Sequence, residues 1–389
     1  MAARPPVQVR SRVSLREVAQ VFLRLGTIAF GGPAAHIAMM EQEFVSRRRW
    51  ISREDFLDRL GAANLIPGPS STELAIFIGY EKCGWPGLLV AGTCFILPAG
   101  ILVALIAAAY VRYGALPQVN GILYALKPVV IAIIVQAFWK LARSALKSKW
   151  LGAVGALSAT LYAMRMHGVL ILAIAAALAA APAVFRKLKS AQPASALFFD
   201  LPALAKALVA VTVVAVPVNL WRLFLVFAKI SAVLFGSGYV LLAFLRADLV
   251  TRLHWLTERQ LLDAVAVGQV TPGPVFTTAT FIGYLIAGSR GAIVATIGAF
   301  APAFIFVAVS GLLIPRIRKS QMAGAMLDGV VVGSLALMGV VAWQLGRAAI
   351  VDWPTAIIAA VSSGFLLRFQ VNSAWLIVAA GVFGWLHSR

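Results

Sequence analysis

The chain has 389 residues and a net charge of +20, and 61% of its residues are hydrophobic while 12% are charged. Soluble globular proteins carry about 25% charged residues, so this composition excludes an ordinary soluble domain and indicates a protein that lies in a lipid bilayer. The basic residues lie in short loops between apolar runs, the pattern that orients membrane helices, so the positive charge does not indicate nucleic-acid binding.

Apolar runs that approach the length of about 20 residues needed to cross a bilayer fall into two sets along the chain. The first set lies at 18–40, 61–81, 86–111, 118–139, 150–165 and 168–185. The second set lies at 223–245, 263–286, 291–314, 326–346, 354–367 and 372–387. With one more run between them, at 197–218, the sequence predicts an all-α polytopic membrane protein with about 13 transmembrane segments, although 12 remains an alternative.

The two sets are copies of one unit. Phe30-Gly31-Gly32 returns 205 positions later as Phe235-Gly236-Ser237, and Pro67-Gly68-Pro69 returns at the same offset as Pro272-Gly273-Pro274. Duplicated membrane units are a common architecture of secondary transporters. We therefore predict two homologous six-helix halves, with these boundaries: an N-terminal arm at 1–14, a first repeat at 15–190, a linker with the extra span at 191–219 and a second repeat at 220–389.

The charges of equivalent loops predict that the two halves have inverted topology. The connector after the third span carries Arg112 alone, whereas its copy holds Arg316, Arg318 and Lys319, and the bias reverses after the fourth span. Because basic loops stay inside, we predict a cytoplasmic N-terminus and a C-terminus outside. The Arg-rich loop 41–59 disagrees, so residues 15–49 either span the bilayer or form a re-entrant hairpin.

Glycine and proline interrupt the first two apolar runs of each half and predict broken helices there. Inside a bilayer, broken backbone is tolerated only where protein or a polar cavity satisfies it. The helix that begins after each break, near Pro33 and Pro69, presents unpaired N–H groups and the positive end of its dipole, which suit a small anion. Paired interruptions of this kind are the best sequence indication of a transporter's binding site.

The predicted anion site takes its residues from both breaks of both halves. The residues are Gly31, Gly32, Pro33, Pro67, Gly68, Pro69, Ser70, Ser71 and Thr72, with Gly236, Ser237, Gly238, Pro272, Gly273, Pro274, Thr277 and Thr278. Arg24 and its copy Lys229 are added, because a cation within an apolar run is costly and therefore a functional candidate. The alternative for both is snorkelling to the membrane interface.

His36 and Glu73 follow the two breaks of the first half and are candidates for carrying a proton coupled to transport. The structural alternatives are a packing histidine and a carboxylate that favours the helix dipole. The sequence contains no nucleophile–base set, phosphate loop or metal-ligand spacing. We therefore predict no enzyme activity, no catalytic residues, no metal site and no cofactor.

The runs FGGPAAHIAMMEQEFVSRRRW, LIPGPSSTELAIFIGY, FGSGYVLLAFLRADLV and VTPGPVFTTATFIGY make the chain similar to the long, fused form of the chromate ion transporter family. Besides the glycines and prolines of the breaks, the family positions present are His36, Glu43, Trp50, Gly79, Tyr80, Gly283 and Tyr284. The resemblance implies a multi-pass protein of the bacterial inner membrane that exports chromate, with sulfate as an isosteric competitor, by ion-coupled antiport.

The residues by themselves lead only to an anion transporter with pseudo-symmetric halves. Sulfate or another oxyanion as the physiological cargo, with chromate as a passenger, is one alternative. An uncoupled anion channel is another, and a non-transporting scaffold or enzyme is the remaining one. The sequence leaves the coupling ion, its stoichiometry and a homodimeric state open.

Overall fold

The computed structural model describes residues 13–114, 116–190, 219–235, 238–369 and 371–387. The span predicted at 197–218 lies outside these ranges, as do Gly236 and Ser237 of the predicted site. Throughout the described part of the chain, the regular structure is helical, which confirms the all-helical prediction.

The first half contains seven helices in the order that the apolar runs predict. They are α1 (Leu15–Ile28), α2 (Gly32–Glu41), α3 (Arg53–Ala63), α4 (Ser70–Tyr113), α5 (Pro117–Ala145), α6 (Lys149–Ala163) and α7 (Gly168–Ser190). A wider π-helical segment (Gln42–Arg47) continues α2. Thus the predicted run 18–40 is divided between the short helices α1 and α2, and the run 61–81 is divided between α3 and the first part of α4.

The second half repeats this order. Its helices are α8 (Leu220–Val233), α9 (Leu241–Leu245), α10 (Glu258–Val270), α11 (Thr278–Lys319), α12 (Gln321–Ala349), α13 (Trp353–Arg368) and α14 (Ser373–His387). A 3₁₀ turn (Gly238–Val240) precedes α9, a π-helical segment (Arg246–Arg252) follows it, and a second 3₁₀ turn (Val275–Thr277) precedes α11. The breaks therefore occur at equivalent positions in both halves.

The long helix α4 is a helical hairpin, and so is its copy α11. The backbone of α4 leaves the helical region at Cys83 and Gly84, and that of α11 does so at Ala287 and Gly288. Gly79 contacts the backbone of Gly87 so closely that a Cβ on either would overlap the other's carbonyl oxygen. In a straight helix these residues would be about 12 Å apart along the axis, so the chain must double back. The arms of α4 are residues 70–82 and 85–113.

Four helical stretches are long and apolar enough to cross a membrane within the described ranges. They are Ser70–Tyr113, Pro117–Ala145, Val275–Gly311 and Gln321–Ala349, and shorter apolar helices lie at Gly168–Ala183, Trp353–Arg368 and Ser373–Leu386. The chain is therefore a multi-pass membrane protein. The count of about 13 spans and the inverted orientation of the halves stay predictions.

The outer helices of each half pack on the other half. α6 and α7 pack against α12, whereas α13 and α14 pack against α5. The contacts are backbone-close, since Gly329 of α12 lies against the carbonyl of Ala175 and Gly384 of α14 lies against the backbone of Gly121. The hairpins α4 and α11 also contact each other across the centre. Each half is therefore completed by helices from its copy.

We predict that the α4 hairpin depends on the absence of a side chain at Gly79. Gly79→Ala should destabilise the protein by about 1–3 kcal/mol, because the added methyl group would force the two arms apart. The matched control is Gly100→Ala in the same helix, where a Cβ meets nothing within 4 Å and a change within about 1 kcal/mol is expected. Thermal unfolding of the detergent-purified variants measures both, and equal stability of the two would contradict the hairpin.

Candidate functional site

The two Pro-Gly-Pro loops cross between the halves at the centre of the molecule. The N–H of Gly68 donates a hydrogen bond to the carbonyl of Leu234, at the end of α8, at 2.8 Å. The N–H of Gly273 donates to the carbonyl of Ala29, at the end of α1, also at 2.8 Å. These four residues are related by the repeat offset of 205, so one contact is the copy of the other. Each loop is therefore bonded to the broken first helix of the opposite half.

Both loop glycines have positive φ and little room for a side chain. Gly68 has φ of +137° and Gly273 has φ of +94°, which L side chains rarely adopt. A Cβ on Gly273 would press on Ala99 of α4 at 2.6 Å, and a Cβ on Gly68 would overlap the carboxyl group of Glu73. Only glycine allows each loop to approach the facing helix so closely, which explains why this residue type recurs in both copies.

His36 connects the two breaks of the first half. Its ring is fully buried, with Nε2 at 3.1 Å from the Ala29 carbonyl and Nδ1 at 3.3 Å from the Ser71 hydroxyl. Because a carbonyl only accepts hydrogen bonds, Nε2 carries the proton in this arrangement and Nδ1 accepts from Ser71. The copy of His36 in the second half is Leu241, so this link exists only on one side.

Polar side-chain atoms without hydrogen-bond partners cluster immediately beside both loops. In the described part of the chain they include Thr72 Oγ1 and both carboxyl oxygens of Glu73 in the first half, with Thr278 Oγ1 and Gln269 Nε2 in the second. Thr72, Glu73 and Thr278 are at most 1% exposed. Buried polar groups almost always have partners, so these positions indicate a polar occupant such as water, a proton-linked ion or a ligand.

The other predicted hydroxyl residues contribute unequally. Ser71 is buried and engaged by His36, and Ser70 is partly exposed at the first position of α4. Thr277 donates its hydroxyl to the carbonyl of Pro274 at 2.8 Å, inside its own turn. Gly31 and Gly32 have positive φ and Pro33 lies in the first turn of α2, as expected for the first break. Gly238 is buried against Val275 and Phe276, next to the second loop.

Arg24 and Lys229 lie beside the π-helical segments, where Lys229 has an acidic partner and Arg24 is exposed, and the described contacts include none from either residue to the loops. Lys229 Nζ is 2.5 Å from Asp248 Oδ2, and Arg252 also contacts this aspartate at 3.3 Å. The copy of Asp248 is Glu43, which lines a cleft of about 370 Å³ with the exposed Arg24. The sequence reasoning named Glu43 only as a family position and missed Asp248 as the partner of Lys229, although the repeat offset relates Glu43 to Asp248.

Lys127 and Asp263 form a buried ion pair that the sequence reasoning also missed. Lys127 lies within the predicted span 118–139, so the rule that selected Arg24 selects it as well. Asp263 is the copy of Asp58 at the repeat offset of 205. Its pairing with Lys127 is a long-range contact that the offset comparison does not reveal, because Lys127 has no charged counterpart in the second half.

Two sets of homologous helices, broken at paired Gly-Pro turns that meet in the centre, define a multi-pass membrane protein built from a duplicated unit. The sequence profile of the family described as Chromate transporter matches residues 16–181 and again 221–385. The chain therefore belongs to the chromate transporter family, as the sequence resemblance indicated.

Relatives of similar length support this assignment. The chain is 33% identical to the "Chromate transport protein" of Cupriavidus metallidurans over 369 residues, which cover 94% of this chain and 91% of the relative. It is 31% identical to the "Probable chromate transport protein" of Synechococcus elongatus, with 97% of each chain covered. The "Uncharacterized transporter YwrA" of Bacillus subtilis is 28% identical and matches 38% of this chain but 84% of its own length. No solved structure matches the chain.

We predict that His36 and Ser71 stabilise the site as a pair. His36→Leu, which installs the residue of the second half, and Ser71→Ala should each lower stability by about 1–3 kcal/mol, because each leaves its buried partner unsatisfied. The double variant should be less destabilised than the sum, with a coupling of about 1 kcal/mol. A double-mutant cycle on thermal unfolding measures this, and strictly additive effects would show that the contact has no energetic weight.

Proposed function

We propose that the chain is a secondary transporter that exports a chromate-type oxyanion by alternating access, with binding at the two crossing loops. The observation that supports this most directly is the cluster of buried, unpartnered polar atoms at the loops, in a chain whose full-length relatives are named chromate transport proteins. The proposal includes about 13 spans, inverted halves, an inner-membrane location, a cytoplasmic N-terminus and an outside C-terminus.

The chemistry of the loops suits a tetrahedral oxyanion. The helix that begins at Ser70 provides N–H groups without intrahelical partners and a positive dipole end, and Thr72 provides a hydroxyl. In the second half, the copy of Thr72 is Thr277, whose hydroxyl is hydrogen-bonded to the carbonyl of Pro274, and the hydroxyl without a partner belongs to Thr278, which begins α11 after the 3₁₀ turn. Donor groups of this kind, held in a site that excludes water, bind an anion without the cost of orienting them first.

Glu73 is the group we assign to coupling. Its carboxyl group is fully buried beside Gly68, without a hydrogen-bond partner or a neighbouring cation in the described structure. An ionised Glu73 would repel an oxyanion bound at the start of the same helix, so anion occupancy and the proton on Glu73 are linked. This linkage allows an ion gradient to act on transport, and the antiport implied by the family resemblance remains part of the proposal.

The membrane potential also favours export. Moving one negative charge toward the outside, which is positive in a respiring bacterium, is favourable by about 2.3 kcal/mol per 100 mV. The membrane potential therefore already drives a divalent anion out of the cell. Coupling to a small number of protons is sufficient to add to this driving force. Proton movement measured together with chromate flux decides whether protons exchange with the anion or accompany it.

We predict that everted inner-membrane vesicles containing the protein, with the membrane potential held at zero, accumulate radiolabelled chromate only while a pH gradient is maintained. Glu73→Gln should still equilibrate chromate but lose gradient-driven accumulation, because the side chain keeps its shape and no longer titrates. Thr72→Val should raise the half-saturating chromate concentration about tenfold, the loss expected for one hydrogen bond to a charged ligand.

The chain offers matched controls for both variants. Glu54→Gln changes an exposed carboxyl group in the first turn of α3, and Thr93→Val changes an exposed threonine of α4, so both should transport like the wild type. Equilibrating flux in the wild type that ignores the gradient would indicate a channel. Sulfate that abolishes chromate flux and is itself accumulated would make sulfate the cargo, and the absence of any flux would exclude the proposal.

A further inference from the structure

A lysine and an aspartate meet inside the helix bundle, apart from the crossing loops. Lys127 Nζ of α5 lies 2.9 Å from Asp263 Oδ1 of α10, and the hydroxyl of Tyr110 donates to Asp263 Oδ2 at 2.8 Å. The Asp263 side chain is fully buried, whereas 13% of the Lys127 side chain remains exposed. The lysine contact is an ion pair without the alignment of a hydrogen bond, so Asp263 Oδ1 keeps no hydrogen-bond donor. Lys127 is thus held by charge rather than locked by geometry.

The exposed edge of Lys127 lines a cleft of about 810 Å³ with both apolar and polar residues on its walls. The cleft lies where α5 and α10 begin and where the chain enters α13, so Asn120, Arg259 and Asp352 line it as well. Lys127 lies about 15 Å along α5 from its first residue, which places it at the inner end of the cleft. The cleft therefore leads from one end of the helix bundle to a buried cation.

The acidic residues of the cleft are bound by other protein groups. Arg259, one of its two cations, has only a neutral partner among the described residues. Glu258 is bound by Arg246 through two contacts, and Asp352 caps α13 and accepts the Tyr124 hydroxyl. Arg259 donates to the amide oxygen of Asn120 at 2.6 Å. A guanidinium group with an amide partner gains energy when an anion replaces or joins that partner, because charge-assisted hydrogen bonds are about twice as strong.

We propose that Lys127, Arg259 and Asn120 form a second oxyanion-binding site in this cleft, and that Asp263 is the counter-ion that holds Lys127 while the site is empty. A divalent tetrahedral anion that enters the cleft competes with Asp263 for the lysine, and Arg259 binds its outer oxygens. The Tyr110 hydroxyl keeps Asp263 satisfied on its other oxygen when the lysine turns away. The identity of the anion rests on the proposed function, whereas the site itself rests on these contacts.

This site combines residues of both halves and has no symmetry-related copy. The copy of Asp263 is the exposed Asp58, and the positions that correspond to Lys127 and Tyr110 in the second half are Val331 and Ile314. The crossing loops, in contrast, are present in both halves. The second site should therefore act on chromate arriving from one face of the membrane, whereas the loop site serves both.

Opposite signs in two variants test the assignment. The full-length protein, purified in detergent, is titrated with radiolabelled chromate. Lys127→Gln should weaken chromate binding at the proposed second site about tenfold, as expected for a lost charge-assisted contact. Asp263→Asn should tighten chromate binding at this site, because the carboxylate that competes with chromate for Lys127 is removed. The Tyr110 hydroxyl still has the amide oxygen as its acceptor. A merely structural ion pair would instead make both variants bind less well, and that result would overturn the proposal.

Matched controls come from a second Lys–Asp pair on the protein surface. Lys147 and Asp328 are 2.7 Å apart and both exposed, so Lys147→Gln and Asp328→Asn should leave binding unchanged. Each single variant leaves one buried charge without its partner and could fail to fold for that reason. In that case the neutral double variant, Lys127→Gln with Asp263→Asn, replaces it. Its binding should match that of Lys127→Gln, and wild-type binding by the double variant would overturn the proposal.

Transport from the two membrane faces separates this inference from the proposed function. In right-side-out and everted vesicles, Lys127→Gln should raise the half-saturating chromate concentration on one face, whereas Thr72→Val should raise it on both. Unchanged values on both faces for Lys127→Gln, with an active wild type, would remove the second site alone. A wild type that neither binds nor transports chromate would remove the proposed function.

Discussion

The structure depends on a requirement of the bilayer, that every broken backbone segment must find hydrogen-bond partners within the protein. α1 ends before the glycines and proline at 31–33, and α8 ends before a segment with glycine at 236 and 238 and no proline. The carbonyls that follow these helices accept from the loop of the opposite half, at Ala29 from Gly273 and at Leu234 from Gly68. An unsatisfied backbone group in hydrocarbon costs several kcal/mol. Each half therefore supplies a hydrogen-bond partner for the break of the other half.

The exchange of outer helices follows the same logic at the level of packing. α5 is covered by α13 and α14, and α12 is covered by α6 and α7, through glycine contacts that bring backbones together. Between lipid-exposed helices the driving force is close packing rather than hydrophobic burial, so small residues determine which helices meet. A movement of one half relative to the other, as in the proposed alternating access, would change both the crossing-loop hydrogen bonds and these helix contacts.

Local features of this architecture could be predicted from the sequence, and its long-range pairings could not. The breaks at Gly31 and Pro69 are encoded by residues that forbid a continuous helix, and the turn at Gly84 separates the predicted runs 61–81 and 86–111. Nothing in the sequence relates Gly68 to Leu234, because apolar helices carry no pattern that selects a neighbour. Lys127 was overlooked because the repeat drew attention to residues present in both halves.

The symmetry of the molecule resides in its backbone, and several buried side chains beside the loops break that symmetry. His36 corresponds to Leu241 in the second half, and Glu73 corresponds to Thr278 at the same offset. A titratable side chain therefore lies beside only one of the two equivalent loops. Two identical sites would bind and release the anion alike and give an ion gradient no preferred point of action. One loop has a buried carboxyl group and the other has a hydroxyl, and under the proposed function this difference would make the linkage between anion and proton one-sided. Duplication accounts for the crossing scaffold, and divergence of a few buried side chains accounts for the asymmetry on which the proposed coupling rests.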